Sequence, residues 1–169
     1  MRIIKEIFLT ICLTLVADSL HAKDWHGIIP LHSTRADVER LLGPAKDPCK
    51  CIYESQEANV QVFYSAGDCK RGGTGGWNVP PNTVIRFTVY PKTKKRLSDL
   101  KIDERKYKKT EDPELPGIFY YTDKEEGLVI SVDRDVVIDY GFEPSAKDIN
   151  LHCPNISPNQ LRGCNRIGK

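Results

Sequence analysis

The residues able to do chemistry are few: four histidines and six cysteines in 169 residues. His26, His32, Cys49 and Cys51 come nearest to a metal-binding set, but Cys49-x-Cys51 is not the Cys-x2-Cys spacing of a zinc knuckle. A serine or cysteine nucleophile needs an oriented base beside it. Past the N-terminal leader only His26, His32 and His152 could serve, and His26 and His32 fall in an extended lead-in. No Gly-x-Ser-x-Gly elbow and no papain-like cysteine context is present. Two groups of carboxylates, Asp123 with Glu125 and Glu126, and Asp133 with Asp135, could in principle pair for hydrolysis. Both fall where hairpin turns are predicted, so turn geometry explains them. Gly72-Gly73-Thr74-Gly75-Gly76 lacks the Gly-Lys-Ser/Thr ending of a phosphate loop. The sequence therefore predicts no enzyme, no metal and no cofactor.

The compartment decides how the cysteines are read. Arg2 and Lys5 precede an apolar run from Ile7 to Ala17, and Ser19-Leu20-His21-Ala22 offers a cleavage site, so residues 1–22 read as a secretory signal peptide. Leu9-Thr10-Ile11-Cys12 loosely matches a lipobox, but Cys12 lies inside the apolar run rather than after it. Beyond this leader no apolar stretch approaches the ~20 residues of a membrane span. An exported chain keeps its cysteines as disulfides. Five remain after cleavage, so one thiol is left over. Cys51–Cys69 is the favoured pair because the two flank one strand-turn-strand segment, and Cys153–Cys164 would close a short loop in the tail.

These residues need a scaffold. Thr34 and Asp37 match a capping box, Ala36, Val38, Leu41 and Leu42 supply an apolar helical face, and Gly43-Pro44 stops the helix. Strands follow at Cys51–Ser55, Ala58–Ser65 and Thr83–Tyr90, the last two alternating as expected of a sheet covered on one side. A second unit faintly repeats this order. A helix is expected within Arg96–Tyr107, then strands at Ile118–Thr122, Leu128–Val132 and Val136–Tyr140. The fold class is α+β: two helix-plus-three-strand units, with helices on one face of an antiparallel sheet. The α+β domain spans 23–152, its half-repeats about 28–91 and 92–152, and 153–169 is an irregular tail.

The net charge is +2, too small for binding polyanions by bulk charge. Its distribution is uneven. From Lys92 to Lys109 nine basic residues stand against three acidic ones, and from Glu111 to Asp148 three basic against eleven acidic. The basic run could bind an anionic surface weakly. The lack of interleaved aromatics argues against nucleic acid. The long loop from Gly67 to Pro81 carries Trp77 among glycines. With the nearby Lys94, Lys95 and Arg96 it forms the predicted partner-binding surface, since tryptophan and arginine dominate interface energetics.

The segment from Ile28 to Pro44, with its short helix ending in Leu42-Gly43-Pro44, resembles the opening of small bacterial outer-membrane assembly lipoproteins of the SmpA/OmlA type and the related β-lactamase inhibitor protein fold. The chain also resembles small exported proteins of acidobacterial type through the stretch from Ser33 to Gly43 and Gly76-Trp77-Asn78-Val79-Pro80. The first resemblance implies a helix followed by a three-stranded antiparallel sheet. It informs architecture rather than chemistry. The expected function is a non-enzymatic, exported, periplasmic or extracellular module that acts by binding an unknown protein partner or associating with the envelope. An inhibitor of a secreted enzyme is the alternative that the resemblance implies, and an enzyme of unknown type comes third.

Overall fold

The computed structural model describes residues 24–67, 69, 76–100 and 102–153. The leader with Cys12, most of the glycine loop, Cys164 and the tail lie outside the described residues.

The chain is strand-dominated α+β. One helix, α1 (Arg35–Leu42), is followed by β1 (Ile52–Glu54), β2 (Ala58–Tyr64), β3 (Val84–Pro91), β4 (Lys108–Glu111), β5 (Ile118–Asp123), β6 (Leu128–Asp133) and β7 (Val136–Phe142). All seven strands join one antiparallel sheet in the order β1-β2-β3-β7-β6-β5-β4. In the middle of the sheet β3 pairs β7, with Phe87 opposite Phe142 and their rings stacked 4.6 Å apart.

Helix α1 begins as its sequence dictates. The Thr34 main-chain N–H donates to the Asp37 carboxylate, and the Asp37 N–H donates to the Thr34 hydroxyl. This reciprocal pair satisfies two of the donors a helix start leaves open. Gly43 ends the helix at φ +81°, its N–H donating to the Glu39 carbonyl. The buried face differs from the expected one. Val38 is fully buried and Leu42 half-buried, but Leu41 is 40% exposed and Ala36 is exposed. At 3.6 residues per turn Val38 and Leu42 stack on one side, Leu41 lies about 60° away and Ala36 lies nearly opposite.

The second half departs further. Among the described residues between Arg96 and Tyr107 there is no α-helix. Two 3-10 turns stand there instead, at Leu97–Leu100 and Glu104–Lys106. Aspartates explain this. The Arg96 N–H donates to the Asp99 side chain and the Arg105 N–H to that of Asp103, closing local turns that compete with a helical ladder. An unexpected strand follows. β4 is exposed along its whole length and carries no apolar alternation, yet the Lys109 ammonium sits 4.2 Å from the Phe119 ring centroid.

On one face of the sheet the core gathers Val60 and Val62, Phe87 and Val89, Phe142, and Leu128, Ile130 and Val132. Ile28, Val38, Tyr53, Leu97 and Tyr121 join them. This alternation is written into β2 from Ala58 to Phe63 and β3 from Ile85 to Val89, where every second residue is buried and the residues between are half-exposed.

The disulfide pairing corrects the expected one. Cys69 is bonded to Cys153, 84 residues on, so neither Cys51–Cys69 nor Cys153–Cys164 forms. The cause is a main-chain pairing with no local signature. Asn78 N–H donates to the Leu151 carbonyl and Cys153 N–H to that of Gly76, with Trp77 opposite His152. This brings Cys153 against the long loop. Cys51 is disulfide-bonded but not to Cys69, and Cys49 is exposed and free. No helix among the described residues is long and apolar enough to cross a membrane.

Candidate functional site

The constellations suggested by residue type are dispersed. His26 Nε2 meets the Glu57 carboxylate, and His32 Nε2 lies 3.5 Å from Asp148. Cys49 is exposed and Cys51 is buried. Among the described residues no three histidine, cysteine or carboxylate groups gather as metal ligands would. Asp123 accepts the N–H groups of Glu125 and Glu126, and Asp133 pairs with Arg134. Both acidic clusters serve their turns.

The predicted partner surface splits in two. Trp77 is half-buried, packs edge-on against the His152 ring at 5.1 Å, and lines a cavity of about 280 Å³ with Leu128, Pro144 and Ile149. That cavity lies just beyond the end of β7. Lys94, Lys95 and Arg96 are exposed at the other end of the same strand, where the Val137 N–H donates to the Lys95 carbonyl and Arg96 bridges Val136. Seven residues of strand, about 20 Å, separate them. They are not one surface.

A different region is assembled by register. On the sheet face opposite the core, Ile52, Gln61, Thr88, Gly141, Val129, Thr122 and Lys108 form a continuous row across all seven strands. Beside it Glu54, Asn59 and Tyr90 run across β1, β2 and β3, and Asp139, Ser131, Tyr120 and Thr110 across β7, β6, β5 and β4. Most of these side chains are half-exposed, in contrast to the sealed face behind them. Their chemistry is mostly polar and aromatic; Glu54 and Lys108 sit on the outer strands and Asp139 on the central β7.

At the β1–β3 end this face deepens into an open cleft of about 690 Å³. Ile52, Asn59, Gln61 and Tyr90 line it, and the segment Lys46-Asp47-Pro48 forms its wall. That wall is held by Asp47, whose main chain pairs with Ile52 on the outer edge of β1. Its side chain accepts the N–H groups of Cys49 and Lys50. Lys46 and Lys92 both donate to Glu54, at 2.6 and 2.7 Å. Those two contacts, Lys46 first, lower the Glu54 pKa to about 2. Further across the face, Ser131 Oγ donates to Asp139 at 2.8 Å. Burial nonetheless raises the Asp139 pKa, only partly offset by that hydrogen bond. Burial, and then the charge of Asp139, also raises that of Tyr90.

Residue-type motifs do not mark Asn59, Gln61, Tyr90 or Asp139. The usable signal is subtler. The outward positions of β2, β3, β6 and β7 carry amides, hydroxyls, aromatics and a valine, with Arg86, Asp133 and Asp139 as their charged members and no lysine or glutamate. Comparison of the chain with protein-family models, with curated proteins and with solved structures finds no match.

Proposed function

We propose that the protein is a non-enzymatic, exported binding module, periplasmic or extracellular, that takes its envelope partner across the outward face of the sheet. One observation carries this reading: Gly141 at the centre of that face. A glycine inside a strand costs roughly 0.5–1 kcal/mol relative to alanine. Gly141 is not among the residues of positive φ, and an added Cβ would meet only ordinary contacts, with Val129 Cβ at 3.5 Å. Neither backbone conformation nor packing asks for glycine there. Close approach by another molecule does.

The test is capture of partners from the organism's own envelope extract, with wild type and with Gly141→Gln. The glutamine side chain would stand on the face without disturbing the core. The expected result is loss of the captured partner with thermal stability unchanged. Equal capture by both proteins would refute the face as the binding site. Inhibition of a secreted enzyme is the second reading, and identifying the captured partner decides between them.

A further inference from the structure

We propose that the cleft bounded by Ile52, Asn59, Gln61 and Tyr90 is a binding site for a neutral saccharide of one or two rings. This rests on the reading of the outward face as the recognition surface and names the ligand chemistry of its deepest part.

The charges at the cleft are already used. Lys46 is paired with Glu54, which also holds Lys92, and the Asp47 carboxylate is occupied by the N–H groups of its own turn. Among the described residues lining the cleft, a phosphate or other anion would find no cation at liberty, and a cation no uncommitted carboxylate. Strand addition is blocked as well, because Asp47 already pairs with the outer edge of Ile52.

What the cleft does offer is neutral. Asn59 and Gln61 stand two residues apart on one strand, pointing to the same side. Both are half-buried, and among the described residues neither side-chain amide has a hydrogen-bond partner. Each presents an N–H donor beside a carbonyl acceptor, a match for neighbouring hydroxyls that both donate and accept. Tyr90, 39% exposed, presents an aromatic ring on the same side, and Ile52 and Pro48 add apolar surface. A ring bearing hydroxyls at its rim and C–H groups on its faces satisfies both kinds of group at once. Charged, wholly apolar and strand-forming ligands do not. A volume near 690 Å³ falls in the range of small-molecule sites.

The test is titration of the isotope-labelled protein with a panel of neutral mono- and disaccharides (glucose, N-acetylglucosamine, cellobiose, maltose, N,N′-diacetylchitobiose), followed by NMR. At least one saccharide is expected to shift the side-chain amide resonances of Asn59 and Gln61. Tyr90→Ala and Asn59→Ala should each weaken that binding by about tenfold or more. Tyr90→Phe, which keeps the ring, should retain most of it, and Trp77→Ala should bind as wild type does. If Tyr90→Ala fails to fold, Gln61→Ala carries the same prediction. The proposal is overturned if no saccharide in the panel moves the Asn59 and Gln61 resonances at millimolar concentration. It is equally overturned if saccharide binding survives loss of both amides. The titration uses saccharide directly and partner capture uses Gly141→Gln, so the ligand class and the face reading fail separately.

Discussion

Gly127 closes the turn between β5 and β6 at φ +63°, and a Cβ built there would lie 2.1 Å from the Glu143 carbonyl oxygen. Gly127→Ala therefore meets two costs. The left-handed backbone costs an L-residue about 1–2 kcal/mol. The overlap is with main chain, so it is relieved only by moving the two segments apart. That movement breaks the bond from the Glu143 N–H to the Gly127 carbonyl, 2.7 Å long, at a further cost of about 1–3 kcal/mol if the groups are left unsatisfied. The expected destabilisation is roughly 2–5 kcal/mol, a fall in melting temperature of roughly 4–20 °C for a chain of this size. Two other glycines serve as controls in the same calorimetric or denaturant assay. Gly117 also has positive φ, +90°, but nothing lies within 4 Å of its added Cβ. Gly117→Ala should show the backbone cost alone. Gly141→Ala, with ordinary backbone and room to spare, should be neutral or stabilise by up to about 1 kcal/mol. If Gly127→Ala and Gly117→Ala agree within about 0.5 kcal/mol, the contact between the β5–β6 turn and Glu143 is not as described.

Val38→Ala should cost roughly 1.5–3 kcal/mol, because the side chain is fully buried, while Leu41→Ala should cost less than about 1 kcal/mol; the reverse order in urea melts would place the other face of α1 on the core. Peptide mapping under non-reducing conditions should find Cys69 joined to Cys153 and Cys51 joined to a cysteine other than Cys69, and Cys69→Ser with Cys153→Ser should cost roughly 2–5 kcal/mol. The folded pKa of Glu54 is depressed from 4.5 to about 2, so its contribution is present above pH 4.5 and lost as pH falls through 2; Glu54→Gln should flatten the stability profile across that window. Asp139 titrates above its ordinary value because it is buried, so its ionisation works against folding as pH rises; Asp139→Asn should raise stability at pH 7 and leave it little changed at pH 3, and the opposite sign would mean that the carboxylate is stabilised on the sheet.

What local chemistry determines was legible. The capping box of Thr34 and Asp37, the stop at Gly43, and strands 2, 3, 5, 6 and 7 follow from spacing and alternation, each within one or two residues of its observed limits. What depends on distant partners was not. β4 is an edge strand of Lys108-Lys109-Thr110-Glu111, stabilised by pairing with β5 and by Lys109 lying over aromatic rings, and nothing in four polar residues announces it. The helix expected before it gave way to aspartate-closed turns. The Cys69–Cys153 bond, between residues 84 apart, depends on residues 76–78 pairing with residues 151–153, far along the chain. The cleft was hidden for a related reason. Asn59 and Gln61 are ordinary outward residues of one strand until register sets them beside Tyr90 of the next.

The distribution of charge across the outward face separates recognition from mere solubility. A face meant only to stay wetted has no need to keep its lysines and glutamates to the margins, since on central strands they serve solubility equally well. Here Lys46, Lys92 and Glu54 tie one another together at the β1 side, and Lys108 occupies the far edge. Lysines on an edge strand also discourage unwanted pairing with another sheet. Between the margins lie Tyr90, Gly141, Val129, the Ser131–Asp139 pair, and Arg86 stacked on the Phe63 ring. Asp139 is the least comfortable of these for stability, because burial works against its charge. A half-buried carboxylate beside a strand glycine that packing does not require places two stability costs at the centre of one accessible face. Local costs of this kind, without local compensation, collect where a protein meets its ligand.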